Sequence, residues 1–555
     1  MNIKYKILSP FLLLLFVTVI LLLSSCKKYL DETVYSNISS TNFWLNNKDA
    51  LAGLDATYTL SYEFGAHNRM FFILTDMVTD DMDDEYSNTE VERRQLNTYS
   101  FSSLNSYINT AWVALYKTIA QANIVIAKVP SIPGMSDADK NTIVGEAKFL
   151  RAMEYFYLTQ LWGQVPIDTI AVNTINQTLI PKSSVADVYK VIISDLQFAE
   201  TNCADNPPQT GRTSKWAAKS LLGKVYLTEA GPFTSRDAGM LNLAESKLAE
   251  VINSNRFSLV SNIIDYFNIK KKGSSEAIYE DWQIGDVSSS LGSFMHRNAM
   301  PSSISDPSIT TMTTAGYKAW SPTPDLWSKY LPQDDRLKMY YFYYIKKNSD
   351  GTYKIQQDNV PYIAKYVDSS TIARDAKANN LPRLRYSDIL LMYAEVLNEL
   401  GTVNAGDAGH NQYYYLNLVR KRAFSSNPTP YQYKDMAFTQ AQFRDSLMLE
   451  RRLELAHEGQ RLFDMKRTGT FISGMTAYAA KYASLQSSPP TYKASYPAGV
   501  FPNPAGAKPY AAGTITFTSD FIKNAKITGP QPFQVLYPIP GAQIQVFNIG
   551  QNQGY

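Results

Sequence analysis

The sequence predicts a mainly α fold: a tetratricopeptide-like array of helical hairpins carrying a large irregular, partly β insertion. Three observations predict it. Amphipathic segments follow one another as hairpins between about residues 41 and 255. From about 257 to 380 the pattern changes to short strand-like runs and Ser/Thr/Gly/Met-rich stretches, and helical periodicity then returns over about 384–467. Only the pairing rhythm of a tetratricopeptide array is present; its strict consensus is not.

Taken in order, Leu51, Leu54 and Tyr58 recur at helical spacing in the first segment, Asp49–Tyr58. Residues 65–105 break the pattern with the acidic cluster Asp76, Asp80, Asp81, Asp83, Asp84, Glu85 and Glu90. A solvated acidic loop is the expectation there, since the run lacks the glycine turn and spacing of an EF-hand calcium loop. Ala111, Leu115, Ile119 and Ala122 mark a helix over Tyr107–Val129, ended by Pro130 and Pro133. Ser136 opens the next, which runs through Glu146–Ala152 to Leu161 and stops at Trp162-Gly163. Ser183-Ser184 cap Val185–Thr201. Lys215–Ala230 buries Ala218, Leu221, Leu222, Val225 and Tyr226, and Asn242–Asn253 follows. Strands are expected at Glu276–Trp282, Tyr340–Ile345 and Tyr362–Val367, around an irregular stretch at 283–322. Helices resume at Leu384–Leu400, Tyr413–Arg422 and Thr439–Glu458. Residues 470–515, rich in Ala, Ser, Pro and Tyr, read as loop within a C-terminal loop region, 468–555.

The start of the chain reads differently. Lys4 and Lys6 precede an apolar run from Ile7 to Leu23, the layout of a secretory signal over residues 1–25. The run ends Leu23-Ser24-Ser25-Cys26, which looks like the lipobox of a bacterial lipoprotein. Cys26 is then the lipidated residue, 26–40 a polar tether, and 41–555 the folded domain. Each buried acyl methylene contributes about 0.8 kcal/mol, so several chains together anchor a protein stably. The competing reading is an uncleaved transmembrane anchor, since a span needs about 20 apolar residues. The small residues before Cys26, with Lys27 and Lys28 directly after it, favour the lipoprotein.

Without Lys4 and Lys6 the chain has 51 basic against 50 acidic residues, so it carries no electrostatic footprint for nucleic acid. Its two cysteines are Cys26 and Cys203; with Cys26 acylated, no disulfide is available. The four histidines, 67, 296, 410 and 457, are far apart in sequence and form no zinc pattern. No Ser/His/Asp or Gly-rich nucleophile motif is present, and no cofactor or catalytic residue is implied. The 38 tyrosines suit a surface that stacks on ligands or partners, or a packed helical core.

Five segments then carry a resemblance. They are Glu146–Ala152 with Leu161–Pro166; Gly211-Arg212 with Ala217–Leu227; Leu384–Glu395; Glu450–Leu455 with Glu458–Arg467; and Tyr537–Pro540 with the Gln551–Tyr555 end. Together with the lipobox, and in this order, they resemble the SusD/RagB family of outer-membrane nutrient-binding lipoproteins. The resemblance implies a non-enzymatic protein on the outer face of the outer membrane. Such a protein binds oligosaccharides, or in some members peptides, and acts as a lid over a SusC-like TonB-dependent transporter. A surface glycoside hydrolase and a helical-repeat scaffold or adhesin are the alternatives.

The charged residues Glu450, Arg451, Arg452, Glu454, Glu458, Arg461, Asp464 and Arg467 imitate a catalytic constellation. On a packed helix and its exit they are expected to pair structurally, because an unpaired buried charge is costly. Asp388 and Glu395, seven apart on one helix face, are expected to pair with Arg383, Arg385 or Arg422. A carbohydrate site needs aromatic faces ringed by a few polar groups. Trp44, Trp112, Trp162, Trp216 and Trp327 lie on or beside helices and are expected in the core. Trp320, before Ser321-Pro322-Thr323-Pro324, is the leading stacking candidate; Trp282, Phe294, His296, Arg297 and Tyr317 lie in the same irregular region. Asp80, Asp81, Tyr86 and Arg94 form a candidate second wall.

Overall fold

The computed structural model describes residues 43–555 except 64, 86–89, 172–179, 286–291, 301–315, 349, 369–376, 402–409, 427–431, 434–437, 497–498, 502–507 and 518–524. The signal, Cys26 and the tether therefore lie outside the described residues, as does Tyr86. Among the described residues no helix is long and apolar enough to cross a membrane.

Helices dominate. The first block comprises α1 (Asn47–Tyr62), α2 (Arg69–Thr75), α3 (Val91–Asn97), α4 (Ser106–Lys128), α5 (Asp137–Trp162), α6 (Val185–Asn202), α7 (Lys215–Glu229) and α8 (Ala238–Asn253). Short helices α9 (Ile263–Tyr266), α10 (Met295–Ala299) and α11 (Pro324–Lys329) sit in the insertion. The second block comprises α12 (Tyr386–Leu400), α13 (Gln412–Ala423), α14 (Gln440–Glu454), α15 (Arg461–Arg467) and α16 (Phe471–Leu485), with α17 (Gly541–Phe547) near the end. Caps set these starts. Ser136 and Ser184 each accept a hydrogen bond from a backbone N–H in the first turn of α5 and α6, and Thr439 with Gln442 forms a capping box on α14.

The array is continuous in space although interrupted in sequence. α1 packs on α4 and α5, α4 on α5, α5 on α6, α6 on α7 and α7 on α8. α8 then packs directly on α12, which also holds α13 and α14, so the insertion loops out between neighbouring helices. At its centre α5 is buried almost continuously from Ile143 to Trp162, and Trp112 meets Trp162 edge to face at 5.3 Å. Trp112 and Trp162 are core residues; Trp44, Trp216 and Trp327 are partly buried against the core.

The strands form two-stranded antiparallel pairs. β1 (Met82–Asp84) pairs with β5 (Trp320–Pro322), with Asp84 opposite Trp320. β2 (Val165–Pro166) pairs with β3 (Lys182–Ser183), and β4 (Ala277–Asp281) with β8 (Leu381–Arg385). β6 (Tyr340–Lys347) pairs with β7 (Tyr353–Ile363), β9 (Tyr492–Tyr496) with β12 (Gly513–Phe517), and β10 (Gly499–Phe501) with β11 (Lys508–Tyr510). Four expectations change here. The strand expected at Tyr362–Val367 is instead the end of β7, which stops at Ile363. Leu384 and Arg385 end a strand instead of opening a helix, and α14 stops at Glu454 rather than Glu458. Residues 470–515, expected as loop, contain α16, whose Phe471, Met475, Tyr478, Ala479 and Tyr482 form a buried stripe at helical spacing.

Buried ion pairs lock the blocks together. Arg385 donates to Glu276, Glu454 and Glu458, at 2.7, 2.5 and 2.8 Å, while Glu454 also meets Arg336 and Arg422. Arg451 binds Asp464 and Asp388, and Arg467 binds Glu395 and Asp464. The remaining partners of Asp388 and Glu395 are Lys224 and Arg236, not the Arg383, Arg385 or Arg422 expected. Burial works to raise the Glu454 carboxyl, but Arg422, Arg385 and Arg336 outweigh it and hold the group well below the usual carboxylate range.

Candidate functional site

The pairing of β1 with β5 draws the two irregular regions, 65–105 and 283–322, onto one face. Their junction is fixed by Asn68, which directly precedes α2 and turns its side chain away from the helix. Its Nδ2 donates to the Gly292 carbonyl at 2.9 Å, and its Oδ1 accepts from the Phe294 N–H at 3.1 Å. Beside this junction lies a hollow of about 130 Å³ lined by Arg69, Glu90, Phe294, Arg297, Asn298 and Tyr317.

One wall is a charged cluster. Arg69 and Arg93 both donate to Glu90, and the Tyr107 hydroxyl donates to the same carboxylate at 2.9 Å. Burial pushes Glu90 upward, but Arg69 and Arg93 outweigh it, so its carboxyl is held below the usual range. The opposite wall is aromatic. Arg297 lies over the Tyr317 ring, 4.3 Å from its centroid, and donates to the Tyr317 hydroxyl at 2.5 Å. Tyr317 is 49% exposed, and Phe294 is half-buried. The backbone beneath is tight: the Tyr317 N–H donates to the Arg297 carbonyl at 2.7 Å, and a Cβ on Gly316 would fall 2.3 Å from the Met300 carbonyl oxygen. Only glycine lets this segment pass so close and present Tyr317.

Two family models match the chain in turn: one described as starch-binding, associating with the outer membrane, over residues 28–227, and the SusD family over 305–555. The chain belongs to the SusD/RagB family. A SusD-like protein of Bacteroides ovatus is 26% identical over 473 residues, covering 82% of this chain and 81% of that protein. The fold matches a SusD superfamily protein from Parabacteroides distasonis with a TM-score of 0.71 and 24% identity, covering 94% of this chain and all of that one (100%). It also matches surface glycan-binding protein A from Bacteroides fluxus, with a TM-score of 0.69, 20% identity and coverage of 92% and 100%.

Of the residues singled out in this SusD-like sequence, Phe294, Arg297 and Tyr317 meet in the hollow. Trp282 lines a separate cleft. Trp320 does not fit a stacking role: it belongs to β5 and its indole is wholly buried in the main core. His296 is also wholly buried, its Nδ1 accepting from the Asp368 N–H at 3.0 Å. Asp80 and Asp81 are not a solvated loop. They are buried against Arg452 and Arg461, while Asp83 pairs with Lys526 and Asp84 with Arg93. Arg94 on α3 does not line the hollow. Among the described residues no cluster of His, Cys, Asp and Glu is arranged to hold a metal. Sequence reasoning missed Arg69 and Asn298. Arg69 meets Glu90 across 21 positions, a spacing that carries no local signal.

Proposed function

We propose that this protein is a lipid-anchored, cell-surface binding protein that captures oligosaccharides and delivers them to a partner TonB-dependent outer-membrane transporter of SusC type, acting as its lid. The observation that carries the binding step is the half-exposed Tyr317 ring, held in place by Arg297 and faced by the Arg69–Glu90 pair. A sugar ring stacks its C–H face on an aromatic ring while fixed polar groups take its hydroxyls. The names of the relatives support the carbohydrate: one family model is described as starch-binding, and a structural neighbour is a surface glycan-binding protein. The outer-membrane association in that description and the lipobox at Cys26 support the location.

Hydrolysis fits the hollow less well than binding. A retaining glycosidase needs two carboxyl groups about 5–5.5 Å apart, one of them with a raised pKa. Among the described residues that line the hollow, Glu90 is the sole carboxylate, and its arginines hold it down. Titrating the protein with oligosaccharides and peptides side by side, and assaying the mixtures for cleavage products, tests the reading. Saturable oligosaccharide binding without products is expected; product release, or binding of peptides alone, overturns it. Co-purification with a large barrel protein, and cleavage by protease added to intact cells, test the partner and the outward orientation.

A further inference from the structure

A second cleft, of about 280 Å³, shares no lining residue with the hollow. Its floor and walls come from α1, from the turn before α7 and from the segment leaving β4: Asp55, Tyr58, Tyr62, Arg212, Trp282 and Gln283. Its volume is near the lower end of the roughly 300–1,000 Å³ usual for small-ligand sites, which suits one or two sugar rings better than a long chain.

The cleft is rigidly built. Arg212 donates to Asp55 at 2.6 Å and to Gln209 at 2.9 Å, approaches Glu146 at 3.5 Å, and lies 5.3 Å from the Tyr58 ring centroid. The Tyr58 hydroxyl donates to Glu146 at 2.6 Å, and the Tyr62 hydroxyl meets that of Tyr279 at 3.1 Å. Gly211 takes φ +87°, and a Cβ there would fall 2.7 Å from the Trp282 Cβ, so glycine is what allows the tryptophan to close this side. Lys272 Nζ lies 4.8 Å above one face of the indole; the rest of the half-buried ring lines the cleft.

Two features indicate what it takes. Among the described residues that line the cleft, Arg212 is the sole cation, and its charge is already met by Asp55 and Glu146; Lys272, behind the indole, donates to the Gln283 carbonyl. Gln283, only 3% exposed, has a side-chain Nε2 with no hydrogen-bond partner among the described residues. A buried amide donor left unmet costs about 1–3 kcal/mol; this nitrogen is closed off as the side chain stands, and a turn of the terminal amide of Gln283, which lines the cleft, would bring it to a ligand oxygen. Aromatic walls, compensated charge and an unmet donor together describe a site for a neutral, hydroxyl-rich ring.

We propose that this cleft is a second glycan-binding site, which takes one or two units of a neutral sugar between Tyr58, Tyr62 and Trp282, with Gln283 donating to a ring or hydroxyl oxygen. The carbohydrate class rests on the function proposed above. Calorimetric titration of the full chain in detergent with short glucose, mannose and xylose oligosaccharides tests it. Two sites per chain are expected. Thr59→Trp, which fills the cleft from an exposed position without removing a packed group, is expected to abolish one site and leave the other's affinity unchanged. Gln283→Met is expected to weaken the same site at least tenfold, with thermal melting reporting the fold of both variants. Phe294→Ala with Tyr317→Ala is expected to remove only the other site. A single site that survives Thr59→Trp and is lost with Phe294 and Tyr317 overturns the cleft alone. A single site lost in Thr59→Trp and kept without Phe294 and Tyr317 supports the cleft and removes the hollow. Absence of binding to every sugar overturns both.

Discussion

Arg452, on α14, donates through Nε to the Asp81 carboxylate at 2.6 Å across 371 positions of sequence. The same guanidinium reaches Asp325 at 2.8 Å and Asp80 at 3.2 Å, so one cation ties the second helical block to the acidic excursion and to the insertion. Arg461 adds a forked pair to Asp80 at 2.8 and 2.9 Å. Burial would raise Asp80, but Arg452 and Arg461 outweigh it and hold its carboxyl well below the usual range. The acidic run that looks like a calcium loop in sequence is a structural knot, and the strand β1 that helps to shape the hollow grows out of it.

Arg452→Met is therefore expected to destabilise the fold strongly. It leaves Asp81 buried without its cation and strips a partner from Asp80 and Asp325. Breaking a buried pair from one side costs about 3–5 kcal/mol. The urea midpoint should fall accordingly. Arg452→Lys should recover only part of the loss, because a lysine cannot span three carboxylates with a planar fork. A midpoint unchanged in the methionine variant would mean that the acidic segment is held by other contacts.

Asp84 gives a pH dependence of opposite sign to the depressed carboxylates. Burial, partly opposed by Arg93, pushes it up to about 6. An unfolded aspartate titrates near 3.9, so between about pH 7 and 4 the folded chain takes up the proton first and Asp84 adds stability as pH falls. Asp80, Asp464 and Glu454 are held low, so their stabilisation is complete above about pH 5 and is lost progressively at more acid pH, where the unfolded chain takes up protons that the folded one does not. Asp84→Asn is expected to flatten the rise between pH 7 and 5, by roughly 1–2 kcal/mol. Chemical unfolding curves at several pH values for both proteins check this.

These two cases mark where sequence reading stops. The long helices were legible because each carries its own information: a serine or asparagine cap, an apolar stripe at helical spacing and a terminating glycine or proline. The charged run from Glu450 to Arg467 was legible as an ion-pair network because unpaired buried charge is unaffordable. The partners of Asp80 and Asp81 lie more than 370 positions away, and no local pattern points to them. Trp320 sits in a strand of three residues, too short for alternation to show that it faces inward. α16 was obscured by its alanines, serines and glycine, which dilute a stripe carried by Phe471, Met475 and two tyrosines. Within the hollow, Phe294, Arg297 and Tyr317 were legible as aromatic and polar groups in one irregular stretch, whereas Arg69 enters only through tertiary folding.

Tyr317 and Trp320, three residues apart, are expected to behave oppositely. Tyr317→Ala removes a half-exposed ring that carries the proposed stacking face, so affinity for an oligosaccharide should fall about tenfold, the equivalent of about 1.4 kcal/mol, with little change in melting temperature. Trp320→Ala removes a wholly buried indole and should destabilise the fold by about 3–5 kcal/mol, with affinity of the folded protein retained. Titration calorimetry and thermal melting on both variants separate the two effects. Equal losses of affinity would place the ligand elsewhere on this face.

Gly316 gives a prediction that depends on backbone alone. A methyl group there meets the Met300 carbonyl oxygen at 2.3 Å and the Arg297 carbonyl oxygen at 2.6 Å, both well inside van der Waals contact and both main-chain atoms that cannot rotate aside. The segment must therefore move. Movement breaks the Tyr317 N–H to Arg297 carbonyl bond and carries the ring away from its guanidinium. Neither aromatic nor charged groups are deleted by Gly316→Ala, yet sugar affinity is expected to fall about as far as in Tyr317→Ala, because stacking requires the ring to be held in one orientation before the ligand arrives. Combining the two substitutions should add little, since both remove the same positioned ring. Additive losses in a double-mutant cycle would show that Gly316 acts on some other part of the site.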